Sequence, residues 1–230
     1  FGSSSRDLPD YSIRAQAAAL RTFLDELGVA RVHVVGFSLG GGAALHLQDL
    51  DPARVASLTL LSSIGVQELE LLGHYGLNHA LHGMQLAGLW MIHELIPHFG
   101  WWDGALMDPA YARSFYDTDQ RPLRGLLEKV EPPVLIVHGL KDILVSPAAA
   151  REHYRLVPQS ELIMRDDGHL MTYHRAPEVA QAVQAFLSRV EQGTAPARST
   201  ATAERVSQAA RPFSETGGAP AAGVALVILI

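Results

Sequence analysis

Arg31-Val32-His33-Val34-Val35-Gly36-Phe37-Ser38-Leu39-Gly40 is the stretch on which the reading of this chain turns. Arg31 to Val35 is short and β-branched, as a strand requires, and it stops at Gly36. From Leu39 the pattern becomes helical and runs to Asp51-Pro52, where proline ends it. A strand, a sharp turn and a helix therefore meet at Ser38. Gly36-Phe37-Ser38-Leu39-Gly40 fits the G-x-S-x-G pattern of a nucleophile elbow, in which a strained turn lifts a serine hydroxyl clear of the sheet. Gly36 and Gly40 give the chain room to fold back. The helix that starts at Leu39 aims its first amides at the same spot, so the backbone N–H of Leu39 is the expected oxyanion donor.

Outward from the elbow, strands alternate with helices. Ser12 is placed to cap a helix whose apolar residues Ile13, Ala17, Leu20, Leu24 and Leu27 keep helical spacing, with Gly28 to end it. Val55 to Leu61, Val134 to Val137 after Pro132-Pro133, and Glu161 to Met164 are further short runs, and the apolar ones resemble strands buried on both faces. Val179, Val183, Phe186, Leu187 and Val190 mark the inner stripe of a last helix. The expected fold class is α/β, with three layers around a mostly parallel sheet. Between Ser63 and Gly125 the strand pattern stops and short helices are expected, which places an inserted cap at about 64–125. Residues 192–220 turn to Ala, Thr, Ser, Pro, Arg and Gly, the composition of a flexible linker. Residues 221–230 are almost wholly apolar.

A serine hydroxyl is a weak nucleophile, so it needs a base, and the base needs a partner that fixes its tautomer. Asp142 follows the strand at Val134 to Val137, and His169 follows the strand at Glu161 to Met164. Both lie in loops at the carboxyl ends of strands, where the sites of parallel sheets gather. The chain order Ser38, Asp142, His169 is the one expected of such an elbow. Asp166 and Asp167 adjoin the histidine, but a carboxylate next to it in a tight loop rarely reaches the ring edge away from the serine. Asp142 is the preferred acid.

Taken together, these segments resemble the α/β-hydrolase fold family, in its esterase-like branch with a helical cap. The resemblance covers about residues 1–191. It rests on VVGFSLGG at the elbow, VLIVHGLKDILVSP around the acid and DDGHL around the histidine, and the loop Phe1 to Pro9 fits the approach to the first helix. It implies a serine hydrolase that acts on an ester or related acyl bond, without a cofactor. It also implies early strands and a His-Gly-type loop ahead of Phe1, which would supply a second oxyanion amide. This sequence contains neither, so an open apolar edge on the strand Val32 to Val35 is expected.

The 230 residues suffice for one sizeable α/β domain, and 48% apolar with 18% charged residues is ordinary for a globular chain. A net charge of −6 offers no basic face, which argues against nucleic acid as a partner. The absence of cysteine excludes disulfides and thiolate catalysis. His33, His46 and His138 are read as structural histidines. His74, His79, His82, His93 and His98 invite a metal reading, yet no His-Glu-x-x-His spacing occurs and no metal site is expected. Trp90, Trp101 and Trp102 either line an apolar substrate pocket or pack the cap onto the domain.

Two function classes follow. The first is the serine hydrolase, with a small and mostly apolar acyl or ester substrate. The alternative is an idle hydrolase-like module that binds a ligand or partner and is tethered to a membrane. The membrane idea rests on Ala221 to Ile230, which is about half the roughly 20 residues a bilayer span needs. Following a linker, it reads as the opening of a transmembrane helix, or else as a short tail that docks on the domain. A cytoplasmic location is only the default.

Overall fold

The structure is a computed structural model and describes residues 8–95, 109–196, 198 and 225–229. Five parallel strands form one sheet: β1 (Val32–Phe37), β2 (Val55–Leu61), β3 (Val134–Gly139), β4 (Ser160–Arg165) and β5 (Ala225–Leu229). Their order across the sheet is β4-β3-β2-β1-β5. The helices are α1 (Ile13–Glu26), α2 (Leu39–Leu50), α3 (Tyr75–Leu95), α4 (Pro109–Asp117), α5 (Leu123–Lys129), α6 (Pro147–Leu156), α7 (Met171–His174) and α8 (Ala176–Glu191).

Side chains of a strand alternate between the two faces of its sheet, and that alternation divides the core in two. Val32, Val34, Leu58, Leu60, Val134 and Ile136 pack with residues of α1, α2, α5 and α6. Val35, Leu61, Leu135 and Val137 point the other way and meet Met171 of α7 and Val179, Val183, Phe186 and Leu187 of α8. Helices thus cover both faces, and β1, β2 and β3 are buried almost throughout. The three-layer α/β architecture is the one the sequence implied.

Local chemistry sets the helix boundaries. Ser12 caps α1 by accepting the amide of Ala15 at 3.2 Å, and Gly28 closes it at φ 65°. Ser146 caps α6 in the same way, with Pro147 in the first turn where no amide hydrogen is needed. Between β2 and β3 come a 3₁₀ turn at Gln67–Leu69, then α3, α4 and α5. Leu123, Leu126 and Leu127 bury α5 in the first core against α2, so this helix belongs to the core layer.

Within the apolar segment 221–230, for which a transmembrane opening and a tail docked on the domain were the two expectations, Ala225–Leu229 is a strand that lies parallel to β1. Its backbone amides and carbonyls are satisfied by pairing with β1, beginning with Ala225 N donating to Arg31 O at 3.2 Å. Ala225 and Val227 pack on the first core, while Leu226 and Ile228 stay exposed. No helix among the described residues is long and apolar enough to cross a membrane.

Candidate active site

Ser38 stands between β1 and α2 with φ 52° and ψ −118°, a conformation that costs a non-glycine residue free energy and persists only when its surroundings hold it. Three backbone bonds do so. Ser38 N donates to Leu61 O at 2.9 Å, and Ser38 O accepts from Gly41 N at 3.1 Å and Ile64 N at 3.2 Å. A methyl group on Gly36 would lie 2.6 Å from both Gly40 O and Gly41 Cα, so only glycine permits this close return of the backbone. Ser38 occupies the N-cap position of α2 but makes no capping bond with its side chain. Its hydroxyl is left for another partner.

That partner is His169. Ser38 Oγ lies 2.9 Å from His169 Nε2, and His169 Nδ1 lies 2.8 Å from Asp142 Oδ2. Asp142 is ionised in this setting and acts only as an acceptor, so Nδ1 carries the ring hydrogen and Nε2 is left to accept from the serine. The other carboxylate oxygen, Oδ1, accepts the amides of Leu144 and Val145, each at 2.9 Å. Burial opposes the charge of Asp142, but the His169 bond and these two amides outweigh it and hold the carboxyl below its usual range. The Phe37 ring packs 5.1 Å from the His169 ring, and Tyr173 meets Phe37 edge-on at 5.9 Å.

The two rival acids are engaged elsewhere. Asp166 pairs with Lys141 at 2.8 Å on the surface, and Asp167 pairs with Arg175 at 2.9 Å. His33 bridges Ser57 and Glu191, 2.7 Å from each, and so ties β1 and β2 to α8. His46 is buried on α2, and burial lowers its pKa. The structure brings together Ser38, His169 and Asp142 and leaves those two histidines apart.

A cleft of about 1360 Å³ opens over Ser38 and His169. Its walls come from α3 and α4, with Leu89, Ile92, Tyr111 and Phe115 among them, and from Leu144 and Leu170 of the acid and histidine loops. His79 stacks between Tyr75 and Tyr116, and His82 faces Gln85 and Phe115. Among the described residues no group of three candidate ligands could hold a metal ion. Trp90 is exposed and does not line the cleft, while Trp101, Trp102 and His98 lie outside the described residues, as does the side chain of His93.

Glu70 escaped the sequence reading, and the structure adds a neighbour to His138. Glu70 lines the cleft and accepts the amides of Gly65 at 2.8 Å and Val66 at 3.2 Å, with Gln120 also bonded to it. Burial pushes its carboxyl up to about 7, against the lowering effect of those bonds. In sequence it closes Gln67-Glu68-Leu69-Glu70, which resembles any solvated turn. His138, read as merely structural, has its Nε2 3.4 Å from Asp142 Oδ2. The one available signal was its place in β3, four residues before the acid.

The α/β-hydrolase fold family matches residues 1–80 of this chain. A dihydrolipoyllysine-residue acetyltransferase component of an acetoin cleaving system, from Pseudomonas putida, is 29% identical over 82% of the chain. The chain spans about half of that relative's length, 54%. Lipase 1 of Psychrobacter immobilis is 26% identical over 83% of the chain and 67% of the lipase. Among solved structures, a thermophilic esterase from Thermogutta terrifontis superimposes with a TM-score of 0.64 at 20% identity, over 78% of this chain and 73% of its own.

Proposed function

This chain is an α/β-hydrolase-fold protein, and on that basis we propose that it is a serine hydrolase acting on an ester or related acyl bond, with Ser38 as nucleophile, His169 as general base and Asp142 as its orienting acid. The observation that carries the reading is the unbroken line from Ser38 Oγ through His169 to Asp142 Oδ2, in steps of 2.9 and 2.8 Å, at the floor of a cleft.

In this mechanism Ser38 Oγ attacks the carbonyl carbon of the substrate while His169 Nε2 takes the hydroxyl proton. Asp142 stabilises the imidazolium that forms. Negative charge gathers on the former carbonyl oxygen, where the amide of Leu39 and the N-terminal end of α2 stabilise it. Collapse of the intermediate breaks the carbonyl-to-alkoxy bond, and His169 returns the proton to the departing alcohol. Water then repeats the sequence on the acyl-serine and releases a carboxylic acid. No cofactor takes part in these steps.

The walls of the cleft favour an apolar acyl or alcohol group, because leucine, isoleucine and aromatic side chains gain from covering carbon and offer little to a charged one. The 26%-identical lipase among the similar proteins is in keeping with an ester substrate. The test is labelling by a fluorophosphonate probe together with hydrolysis of p-nitrophenyl esters. Wild type is expected to be labelled and to turn over butyrate faster than the more polar succinate monoester, while Ser38→Ala loses both activities. Labelling that persists in Ser38→Ala would refute the assignment.

A further inference from the structure

His138 is the penultimate residue of β3 and fully buried, and its ring has a defined hydrogen-bond direction. Its Nε2 lies 3.0 Å from Val145 O, and a carbonyl only accepts, so the ring proton is on Nε2. Burial lowers the pKa of this imidazole, which leaves it neutral with a bare Nδ1. The same Nε2 stands 3.4 Å from Asp142 Oδ2, the oxygen that receives His169, as an electrostatic neighbour while its hydrogen bond goes to Val145. Val145 closes the loop: its amide donates to Asp142 Oδ1 and its carbonyl accepts from His138. The carboxylate is therefore fixed through Val145 at one oxygen and approached by two imidazoles at the other.

We propose that His138 is a positioning residue for the general base: by holding Val145 and placing its N–H dipole beside Asp142 Oδ2, it sets the rotation of the carboxylate and the share of its charge that reaches His169. This rests on the hydrolase reading above only for its consequence in turnover. The titratable and charged groups that face His138 are Asp142 and His169 on the two site loops and Arg151 and His153 on α6. Neither of the two α6 groups lines the cleft.

The sign of the effect follows from charge. Without the His138 N–H dipole beside it, Oδ2 concentrates more negative charge toward His169 and favours its protonated form. The acidic limb of the kcat/KM profile then moves to higher pH, by about half a unit. Loss of the anchored geometry lowers kcat about five-fold, the size of one modest hydrogen bond, with KM unchanged.

The experiment compares three substitutions in the full chain. His138→Phe keeps a ring without a donor, His138→Asn carries an amide too short to reach Val145, and His138→Gln restores a donor near the Nε2 position. Phe and Asn are expected to shift the limb upward, and Gln to return it toward wild type. Titration of the His169 ring by NMR, assigned with His169→Gln, reads the same shift without turnover. If wild type neither labels nor hydrolyses esters, the hydrolase reading fails while this titration still decides the role of His138. A His169 titration unmoved in all three variants, or one equally displaced by Gln and Asn, overturns the proposal. Should His138→Phe not fold, the Asn and Gln pair still decides the question, because both measurements report on folded molecules.

Discussion

Asp142 and Glu70 are both carboxylates buried beside one cleft, and their environments drive them in opposite directions. Burial raises the pKa of each, and each accepts two backbone amides. The difference lies in the remaining partner. Asp142 faces the imidazole of His169, which gains a charge when the base works, whereas Glu70 faces the neutral amide of Gln120 and lies near Glu68. Where a cation can form, the ionised carboxylate is kept; where none can, burial prevails and Glu70 rises to about 7. The two regions are also joined, since Glu70 and Val145 form an antiparallel bridge between the loop after β2 and the acid loop after β3.

Turnover should separate the two carboxylates most sharply. Asp142→Asn should lower kcat by about 10⁴, because the amide stabilises the wrong tautomer of His169. Glu70→Gln should leave kcat within a few-fold, since Gln retains an acceptor for Gly65 and Val66. Steady-state rates on p-nitrophenyl butyrate measure both, and a large loss in Glu70→Gln would make the second carboxylate part of the chemistry.

Stability against pH gives the next contrast. Glu70 is raised in the folded state, from 4.5 to about 7, so the fold holds a proton that the unfolded chain has released. Its contribution is complete below about pH 4.5 and is lost as the pH climbs to about 7, by at most about 3 kcal/mol. Asp142 is depressed, so its contribution is present above pH 3.8 and is lost as the pH falls below that value. Urea unfolding of wild type, Glu70→Gln and Asp142→Asn at a series of pH values should flatten the upper window in the first variant and the lower window in the second. A wild-type slope through pH 5–7 unchanged by Glu70→Gln would remove the contrast.

A finer measurement tests the link between the regions. Because both loops share Val145, the stability losses of Glu70→Gln and Asp142→Asn should not add at pH 7, with a coupling of about 0.5 kcal/mol in a double-mutant cycle. Strict additivity would mean that the bridge at Val145 transmits nothing.

Local patterns in the chain were enough to indicate the layers, the elbow and the three residues now found together. Each leaves a mark within a few positions: glycines where Ser38 must be strained, a strand immediately before Asp142 and another before His169, and serine or glycine at the ends of α1. The reading left alternatives open where the partner is distant in sequence. Ala221 to Ile230 carries no mark that separates a membrane helix from a strand, because the β1 residues that pair with Ala225–Leu229 lie far away in the sequence. Trp90 gives no sign of whether its helix face looks into the cleft or away from it.

The order of residues was therefore sufficient to single out the candidates for nucleophile, base and acid and the kind of sheet that presents them, since periodicity, strained turns and chain order are properties of neighbouring residues. The folded arrangement alone revealed that β5 lies against β1, that Glu70 faces a neutral amide and that His138 Nε2 stands 3.4 Å from the oxygen on which His169 depends. Those facts arise from burial and from contacts between remote segments, and the free energy of a proton on a carboxylate or an imidazole depends on the dielectric and the donors around it rather than on its place in the chain.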